Sequence, residues 1–181
     1  MTAAVRWFAG ALLAAGLAGP AAAVDSGRIF DDGIVAYERG DYAAAWFSFW
    51  SLANRGDAAA QFNLSRLYHF GYGVEKDLAQ SRRWLEAAAR QNHSAAIFSL
   101  GQYYHLGLGG PVDLPAARMF YERAAEAGYA PAQFNLALMH EAGFGGPVDL
   151  AVARRWYTRA AEQRLERARD ALIRIGGATV R

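Results

Sequence analysis

Residues 132–162, AQFNLALMHEAGFGGPVDLAVARRWYTRAAE, contain one unit of a repeat that organises the chain. Its landmarks return upstream at a constant step of 36 residues, without insertions. The positions that recur are Phe62, Phe98 and Phe134; Leu64, Leu100 and Leu136; Gly71, Gly107 and Gly143; Asp77, Asp113 and Asp149; and Trp84, Phe120 and Trp156. A fixed period in the range of roughly 20–50 residues is typical of proteins built from stacked repeats. The spacing therefore predicts such a repeat array.

Each unit predicts two helices, A and B, joined by a loop of constant length. Helix A carries apolar residues four apart, as at Ala60, Leu64 and Tyr68, and ends at a glycine suited to a left-handed cap. An aspartate precedes helix B in every unit, and Gln80 is placed to complete a capping box in the first. Each full repeat starts with a cap or breaker residue for its A helix: Asp57 and Ser94 as caps, and Pro131 near the first helical turn. Such a pair cannot bury its apolar stripe alone, so neighbouring pairs must stack.

The period divides the chain into segments. Residues 57–92, 93–128 and 129–164 are full repeats, and 24–56 is a helical hairpin with predicted helices at 28–39 and 42–54. Residues 165–181 match only the A helix of a further unit and predict a C-terminal capping helix with a polar outer face.

The first 23 residues predict a secretory signal peptide cleaved after Ala23. Met1 to Arg6 is short and positively charged, an apolar run of 11 residues follows, and small residues precede the cleavage point. The alternative is an uncleaved membrane anchor, but the run is shorter than the roughly 20 apolar residues that span a bilayer. A lipoprotein anchor is excluded because the chain has no cysteine. We therefore expect a periplasmic or secreted protein without a membrane span after cleavage.

The composition and motifs exclude several function classes. A net charge of +2 gives no concentrated basic surface for nucleic acid. The chain lacks a cysteine nucleophile, a Walker loop and a His-Glu-x-x-His metal motif. We expect no enzyme activity, no cofactor and no metal.

The pattern A-x-F-x-L with a later Tyr, followed by G-x-G, Asp, Trp-Tyr and Ala-Ala-Glu, resembles the Sel1-like repeat family of the tetratricopeptide superfamily. The resemblance covers 57–164 strongly and 28–56 more loosely. It implies an all-α fold, a right-handed α-solenoid of stacked antiparallel helix pairs whose A helices line the inner surface. It also implies a role as an adaptor between proteins, often in bacterial envelope complexes.

A second stripe of the A helices, offset from the core stripe, is the candidate surface for a partner. It consists of Phe62, Arg66 and His69; Phe98, Gln102 and His105; and Phe134, Leu138 and Glu141. Spacings of four and three place each trio on one helix face. The alternative is that the phenylalanines pack between repeats and the polar residues are simply solvated. His69, His105 and Glu141 suggest a metal row only weakly, because stacked helices lie about 8–10 Å apart.

Trp46 and Trp50 are a further candidate. They stand where later repeats have Arg82, Arg118 and Arg154, and Glu86, Glu122 and Thr158. We expect those later positions to form the polar, solvated outer face of helix B, so two tryptophans there need a cover. Either the segment around Ile29, Phe30 and Ile34 covers them, or a partner does. The sequence thus predicts an exported scaffold for protein partners; the alternative is an auxiliary subunit of cell-wall or exopolysaccharide machinery that binds an envelope polysaccharide.

Overall fold

The computed structural model describes residues 20–177, which form nine α-helices and no strand within that range. The helices are α1 (Pro20–Glu38), α2 (Tyr42–Asn54), α3 (Ala58–Phe70), α4 (Leu78–Arg90), α5 (Ser94–Leu106), α6 (Leu114–Glu126), α7 (Ala130–Ala142), α8 (Leu150–Glu162) and α9 (Glu166–Gly177). The predicted signal peptide lies outside the described residues except for its last four. None of the helices in 20–177 is both long and apolar enough to cross a membrane.

Helices that are consecutive in sequence pack against each other along the whole array. The pairs α3–α4, α5–α6 and α7–α8 are the helices A and B of the three repeats, and α9 stands in the place of a fourth A helix. The predicted all-α solenoid of stacked antiparallel pairs is confirmed. Because each helix packs on its sequence neighbours, a cleft between two repeats is built from one pair and the helix that follows it.

The first helix differs from its prediction. We expected 28–39, but α1 begins at Pro20. Proline at the first position of a helix loses no hydrogen bond, and the alanines that follow are the strongest helix formers. Asp25, Ser26 and Gly27, which precede the predicted start at residue 28, lie within the helix.

The caps follow the sequence signals closely. Asp41, Asp57, Asp77, Asp113 and Asp149 each accept a hydrogen bond from a backbone N–H of the helix they precede. The A helices end at glycines with left-handed backbones, at φ 75°, 67° and 72°. These caps fix where each loop leaves the helix pair.

Two predicted caps are wrong. Ser94 is the first residue of α5, and the N-cap is His93, whose Nδ1 accepts from the N–H of Ala96 at 3.3 Å. The Gln80 capping box also fails. The N–H of Asp77 that Gln80 was to satisfy donates instead to the carbonyl of Tyr68 at 2.9 Å.

The core is a continuous line of small and branched residues. Four alanines of the A helices have no exposed surface: Ala60, Ala96, Ala132 and Ala168. Leu64, Leu100 and Leu136 are buried one turn further along. Alanine lets neighbouring helices approach closely, and each buried leucine contributes about 1.5–3 kcal/mol of transfer free energy. The 36-residue period thus repeats the core as well as the caps.

The loops between helices A and B contact the preceding pair. Gly73, Gly109 and Gly145 have φ between 68° and 71°. A Cβ added at Gly109 would lie 2.5 Å from the carbonyl oxygen of Leu78, the first residue of the preceding B helix. Each loop therefore rests on that helix start, and only glycine fits there.

Candidate functional site

A cleft opens between the first and second repeats, where α3, α4 and α5 meet. Its volume is about 490 Å³. The lining side chains are Phe62, Ser65, Arg66, His69, Phe70, Lys76, Leu78, Ser81, Leu85, Ser99, Gln102, Tyr103, Leu106 and Leu108. It brings together four residues of the predicted partner surface: Phe62, Arg66, His69 and Gln102.

The cleft exists because the B helix of the first repeat carries a smaller side chain than its successors. Leu85 is followed at the same repeat position by Tyr121 and Tyr157, which are both fully buried. The Tyr121 ring lies so close to Gly101 that a Cβ there would be 2.5 Å from its Cδ1. Leucine lacks the outer part of that ring, so the corresponding space in the first repeat stays open.

A chain of hydrogen bonds forms one wall of the cleft. The Ser81 hydroxyl donates to the carbonyl of Ser65 at 2.8 Å. With its proton used there, Ser81 Oγ accepts from the Tyr103 hydroxyl at 2.5 Å. The Tyr103 oxygen in turn lies 2.6 Å from His69 Nδ1 and must accept from it. The chain therefore assigns the Nδ1 proton to His69.

The electrostatics of the cleft are one-sided. Arg66 and Lys76 are its cationic residues, and no aspartate or glutamate lines it. Burial, and then the charge of Lys76, lower the pKa of His69 and favour its neutral form. Burial also raises the pKa of the Tyr103 hydroxyl. The cleft thus has an apolar interior, a neutral hydrogen-bonded wall and a positive rim.

The three phenylalanines of the predicted surface are half-buried between repeats. Phe62 stacks on His93 at 4.9 Å between ring centroids, and Phe98 packs on Tyr129 at 5.1 Å. Phe134 contacts Tyr157 at 5.5 Å and has the guanidinium of Arg167 above it, 4.5 Å from its centroid. These contacts are those of the packing alternative; a binding role for the phenylalanines stays a prediction.

The exposed part of the A-helix surface is more apolar than the sequence suggested. Phe70 and Leu106 are 52% and 63% exposed at the mouth of the cleft, and Leu138 is 36% exposed on α7. Gln102 lies on the same helix as Leu106. Exposed apolar side chains therefore lie at the mouth of the cleft and, separately, on the A helix of the third repeat.

His105 and Glu141 have surroundings different from those of His69. The His105 ring lies near Tyr121 and Phe144. Glu141 accepts from the Tyr157 hydroxyl at 2.7 Å and pairs with Arg174 of α9. The capping helix therefore already holds this carboxylate. No group of three His, Cys, Asp or Glu side chains in the described part of the chain is arranged to hold a metal.

The expectation that the arginine row forms a solvated outer face is wrong for two of its members. The Arg82 guanidinium lies 4.2 Å from the centroid of Tyr104 in the next repeat. Arg118 donates to His140 Nδ1 at 2.8 Å, also across a repeat boundary. Both side chains are half-buried, because the position faces the following A helix.

Trp46 stands at that same inter-repeat position, which explains a large apolar residue there. It is half-buried against the N-terminal core, in which Ile29, Phe30 and Ile34 also pack. Its indole Nε1 is buried without a hydrogen-bond partner among the described residues. Trp50 stacks on Trp46 at 5.7 Å and is 41% exposed. The described residues therefore cover Trp46 substantially and Trp50 only in part.

Sequence reasoning missed ten of the fourteen residues that line the cleft, among them Ser81, Leu85 and Tyr103. These three break the repeat pattern. At equivalent repeat positions, Leu85 is followed by Tyr121 and Tyr157, and Ser81 by Ala117 and Ala153. The position of Tyr103 is occupied by Leu67 in the first repeat and by Met139 in the third. A search for exceptions to the period at core positions would have found them.

Residues 58–93, 94–129 and 130–165 each match the family model of the Sel1 repeat. No curated protein matches the chain.

Three solved structures are similar. A protective antigen of uropathogenic Escherichia coli strains that displays an SLR fold is 28% identical over 83% of this chain, with a TM-score of 0.78. The match covers 34% of the antigen, so the chain spans about a third of that protein's length. A Sel1 repeat protein from Oxalobacter formigenes is 39% identical, covering 70% of this chain and 95% of that one, with a TM-score of 0.65.

The third, cysteine rich protein B of Helicobacter pylori, is 19% identical over 82% of this chain and 95% of its own, with a TM-score of 0.52. At that identity the likeness concerns the fold alone.

Proposed function

This chain belongs to the Sel1 repeat family, and on that premise we propose that it is a non-enzymatic scaffold that binds a segment of a protein partner along its A-helix surface. Sel1 repeats form scaffolds typical of protein–protein interaction. The observation that carries the proposal is the cleft between the first two repeats, with the exposed apolar edge of Phe70 and Leu106 at its mouth. Exposed apolar side chains beside polar groups are what a docking segment covers.

The serine and histidine in the cleft wall do not suggest catalysis. Ser81 is 1% exposed, and its hydroxyl proton is held by the carbonyl of Ser65. Tyr103 separates Ser81 from His69, so no base contacts the serine oxygen directly. A nucleophile needs both access and an adjacent base. The arrangement is better suited to holding the cleft in shape than to reacting with a bound molecule.

We also propose that the protein is exported to a bacterial periplasm. The support is the charged start, apolar run and small residues of the first 23 positions. Expression of the full chain followed by cell fractionation and N-terminal sequencing tests this. A periplasmic product beginning at Val24 is expected, and a cytoplasmic product that keeps Met1 would contradict it.

The binding proposal is tested by affinity capture from envelope extracts with variants of the surface. Arg66→Ala and Gln102→Ala should reduce recovery of the captured protein, because both side chains line the cleft. Arg90→Ala, an exposed arginine on α4 away from the cleft, is the matched control. Equal recovery by all three variants would exclude this surface.

Glycan binding gains no support from the cleft. Such a site needs exposed aromatic faces beside polar groups, but Tyr103 is buried, Phe62 is half-buried and Phe70 is set in an apolar edge.

A further inference from the structure

We propose that the cleft between the first two repeats is an anchor site for a partner segment that carries one large apolar side chain next to a carboxylate. The apolar side chain enters the cleft, and the carboxylate pairs with Arg66 or Lys76 at the rim. This inference rests on the proposed function, since it names the chemistry of the segment that the A-helix surface would bind.

The size of the cleft supports an apolar anchor. A volume of about 490 Å³ lies within the range of roughly 300–1,000 Å³ that is usual for binding pockets. The chain itself shows what fits at this position. In the second and third repeats the rings of Tyr121 and Tyr157 fill the space that Leu85 leaves open. A partner side chain of about the size of an aromatic ring would restore the packing of the later repeats.

The mouth of the cleft supports a segment rather than an isolated small molecule. Phe70 and Leu106 are exposed on either side of it, at the ends of α3 and α5. Leu138 is a further exposed apolar side chain, on the A helix of the third repeat. A segment anchored in the cleft would cover these side chains as it crosses the repeats.

The charges support an acidic neighbour to the anchor. Neither Arg66 nor Lys76 forms an ion pair within residues 20–177, and no acidic side chain lines the cleft. Glu75 and Asp77 flank Lys76 in sequence, but Asp77 is engaged in capping α4. The third repeat provides a contrast, because its charged A-helix end, Glu141, is already paired with Arg174.

Arg66 is also held in position before any partner binds. Its guanidinium lies over the Tyr37 ring, 5.3 Å from the centroid, and donates to the Tyr37 hydroxyl at 3.3 Å and to Asn63 Oδ1 at 3.5 Å. These are neutral partners that leave the positive charge uncompensated. A guanidinium fixed in this way loses little freedom when it pairs with a carboxylate.

The test is a selection of displayed random peptides of about 12 residues on the purified full chain. Enriched sequences should share an aromatic or large aliphatic residue with an Asp or Glu within two positions. A labelled peptide of the enriched type is then titrated by fluorescence anisotropy against four variants: the double substitution Arg66→Gln with Lys76→Gln, Leu85→Tyr, Phe70→Ser, and the control Arg90→Gln.

The double substitution should weaken binding by about tenfold or more, and high salt should weaken binding to the original chain in the same direction. Leu85→Tyr should abolish binding by filling the cleft. Phe70→Ser, at an exposed position, provides a second readout if Leu85→Tyr does not fold. Arg90→Gln should bind like the original chain.

The outcomes separate the two proposals. Peptides without an enriched acid, or binding unaffected by the double substitution, would overturn the anchor chemistry while leaving the A-helix surface intact. The same holds if polyglutamate of equal length binds as well, because it offers no apolar anchor. Binding that is insensitive to both Leu85→Tyr and Phe70→Ser, or a selection that yields no binder, would overturn the proposed function as well.

Discussion

The first and second junctions of the array are built from equivalent helices with the same repeat spacing, but the first contains an open cleft and the second is filled by side chains. We call the contact of α3–α4 with α5 the first junction and that of α5–α6 with α7 the second. At the second, Tyr121 is 2% exposed and fills the space against Gly101. At the first, Leu85 leaves a cleft with a hydrogen-bonded wall. Leu85, together with Ser81 and Tyr103, distinguishes the open first junction from the closed second one.

The polar residues near the ends of the A helices also bond to tyrosine hydroxyls from different repeats. In the third repeat, Glu141 receives its hydrogen bond from Tyr157 of the same repeat. In the first repeat, His69 is hydrogen-bonded to the hydroxyl of Tyr103, which belongs to the following repeat. Tyr103 thus partly replaces the ring that is missing at position 85. Its hydrogen bond to His69 connects the two repeats, and the cleft remains open beside that bond. Variation at a few core positions, with the helix pairs and their loop glycines retained, thus opens a cleft at one junction only.

The largest effect should come from opening the second junction. Tyr121→Ala removes a buried ring and should lower the free energy of unfolding by about 3–5 kcal/mol, as aromatic truncations in cores do. Urea denaturation followed by circular dichroism measures the loss. Met119→Ala, on the same helix but 57% exposed, is the control and should change little. A loss below that of the control would mean that the ring does not support the junction.

A smaller effect should come from crowding the same junction. Gly101→Ala places a Cβ against the Tyr121 ring, and we expect a loss of about 1 kcal/mol, the lower end for overpacked cores. The low end is expected because Ala137 already lies near Tyr157 in the third repeat. In a Tyr121→Leu background the alanine should be tolerated. A double-mutant cycle gives the coupling, and additive losses would contradict the contact.

Acid should weaken the second junction more than the first. Burial, and next the charge of Arg118, lower the pKa of His140 in the folded chain, while Asp149 opposes this. The unfolded chain therefore binds more protons below the usual histidine pKa of 6.5, and stability falls as the pH drops through that value. A ring nitrogen of His140, either Nδ1 at 2.8 Å or Nε2 at 3.2 Å, must accept from Arg118, and neither can accept when the ring is protonated. His69, in contrast, already donates through Nδ1.

Thermal unfolding between neutral pH and about pH 5 measures this difference. His140→Tyr installs the residue found at the equivalent position 104, beside Arg82, and should flatten the pH dependence more than His69→Gln does. An equal change in both variants would show that the direction of the hydrogen bond does not matter.

The smallest effect is expected at the C-terminal cap. Arg174→Gln breaks the pair with Glu141, but the arginine is 57% exposed, so the loss should be at most about 1 kcal/mol. Differential scanning calorimetry at low and high salt measures it, and salt should reduce the difference between the two chains. A loss of several kcal/mol would place the ion pair among the core contacts of the array.

The sequence predicted the fold to a large extent because caps, glycines and core stripes recur in phase. Asp77 and Gly71 act locally, and their roles need only neighbouring residues. The start of α1 was missed because Asp25 to Gly27 carry weak breaker signals that helix-forming neighbours override.

The cleft could not be predicted in the same way. It depends on the volume of Leu85 relative to a ring that is present only in other repeats, and on Tyr103 crossing to His69. The half-buried state of Arg82 was likewise missed, because helix periodicity does not reveal that the following A helix lies beside it. Both are tertiary contacts between units, which a repeat pattern does not contain.

The loop glycines fix how closely each loop approaches the start of the preceding B helix. Because Gly109 fits against the carbonyl of Leu78 with no space for a Cβ, the distance from one B helix to the next loop is fixed at one value. Such a unit can be duplicated whole, because a copy contains both the loop glycine and the B-helix start that the next loop contacts. A residue inserted between Leu78 and Gly109 would have to be absorbed without moving this contact, so we expect an array of this design to grow in whole units of 36 residues.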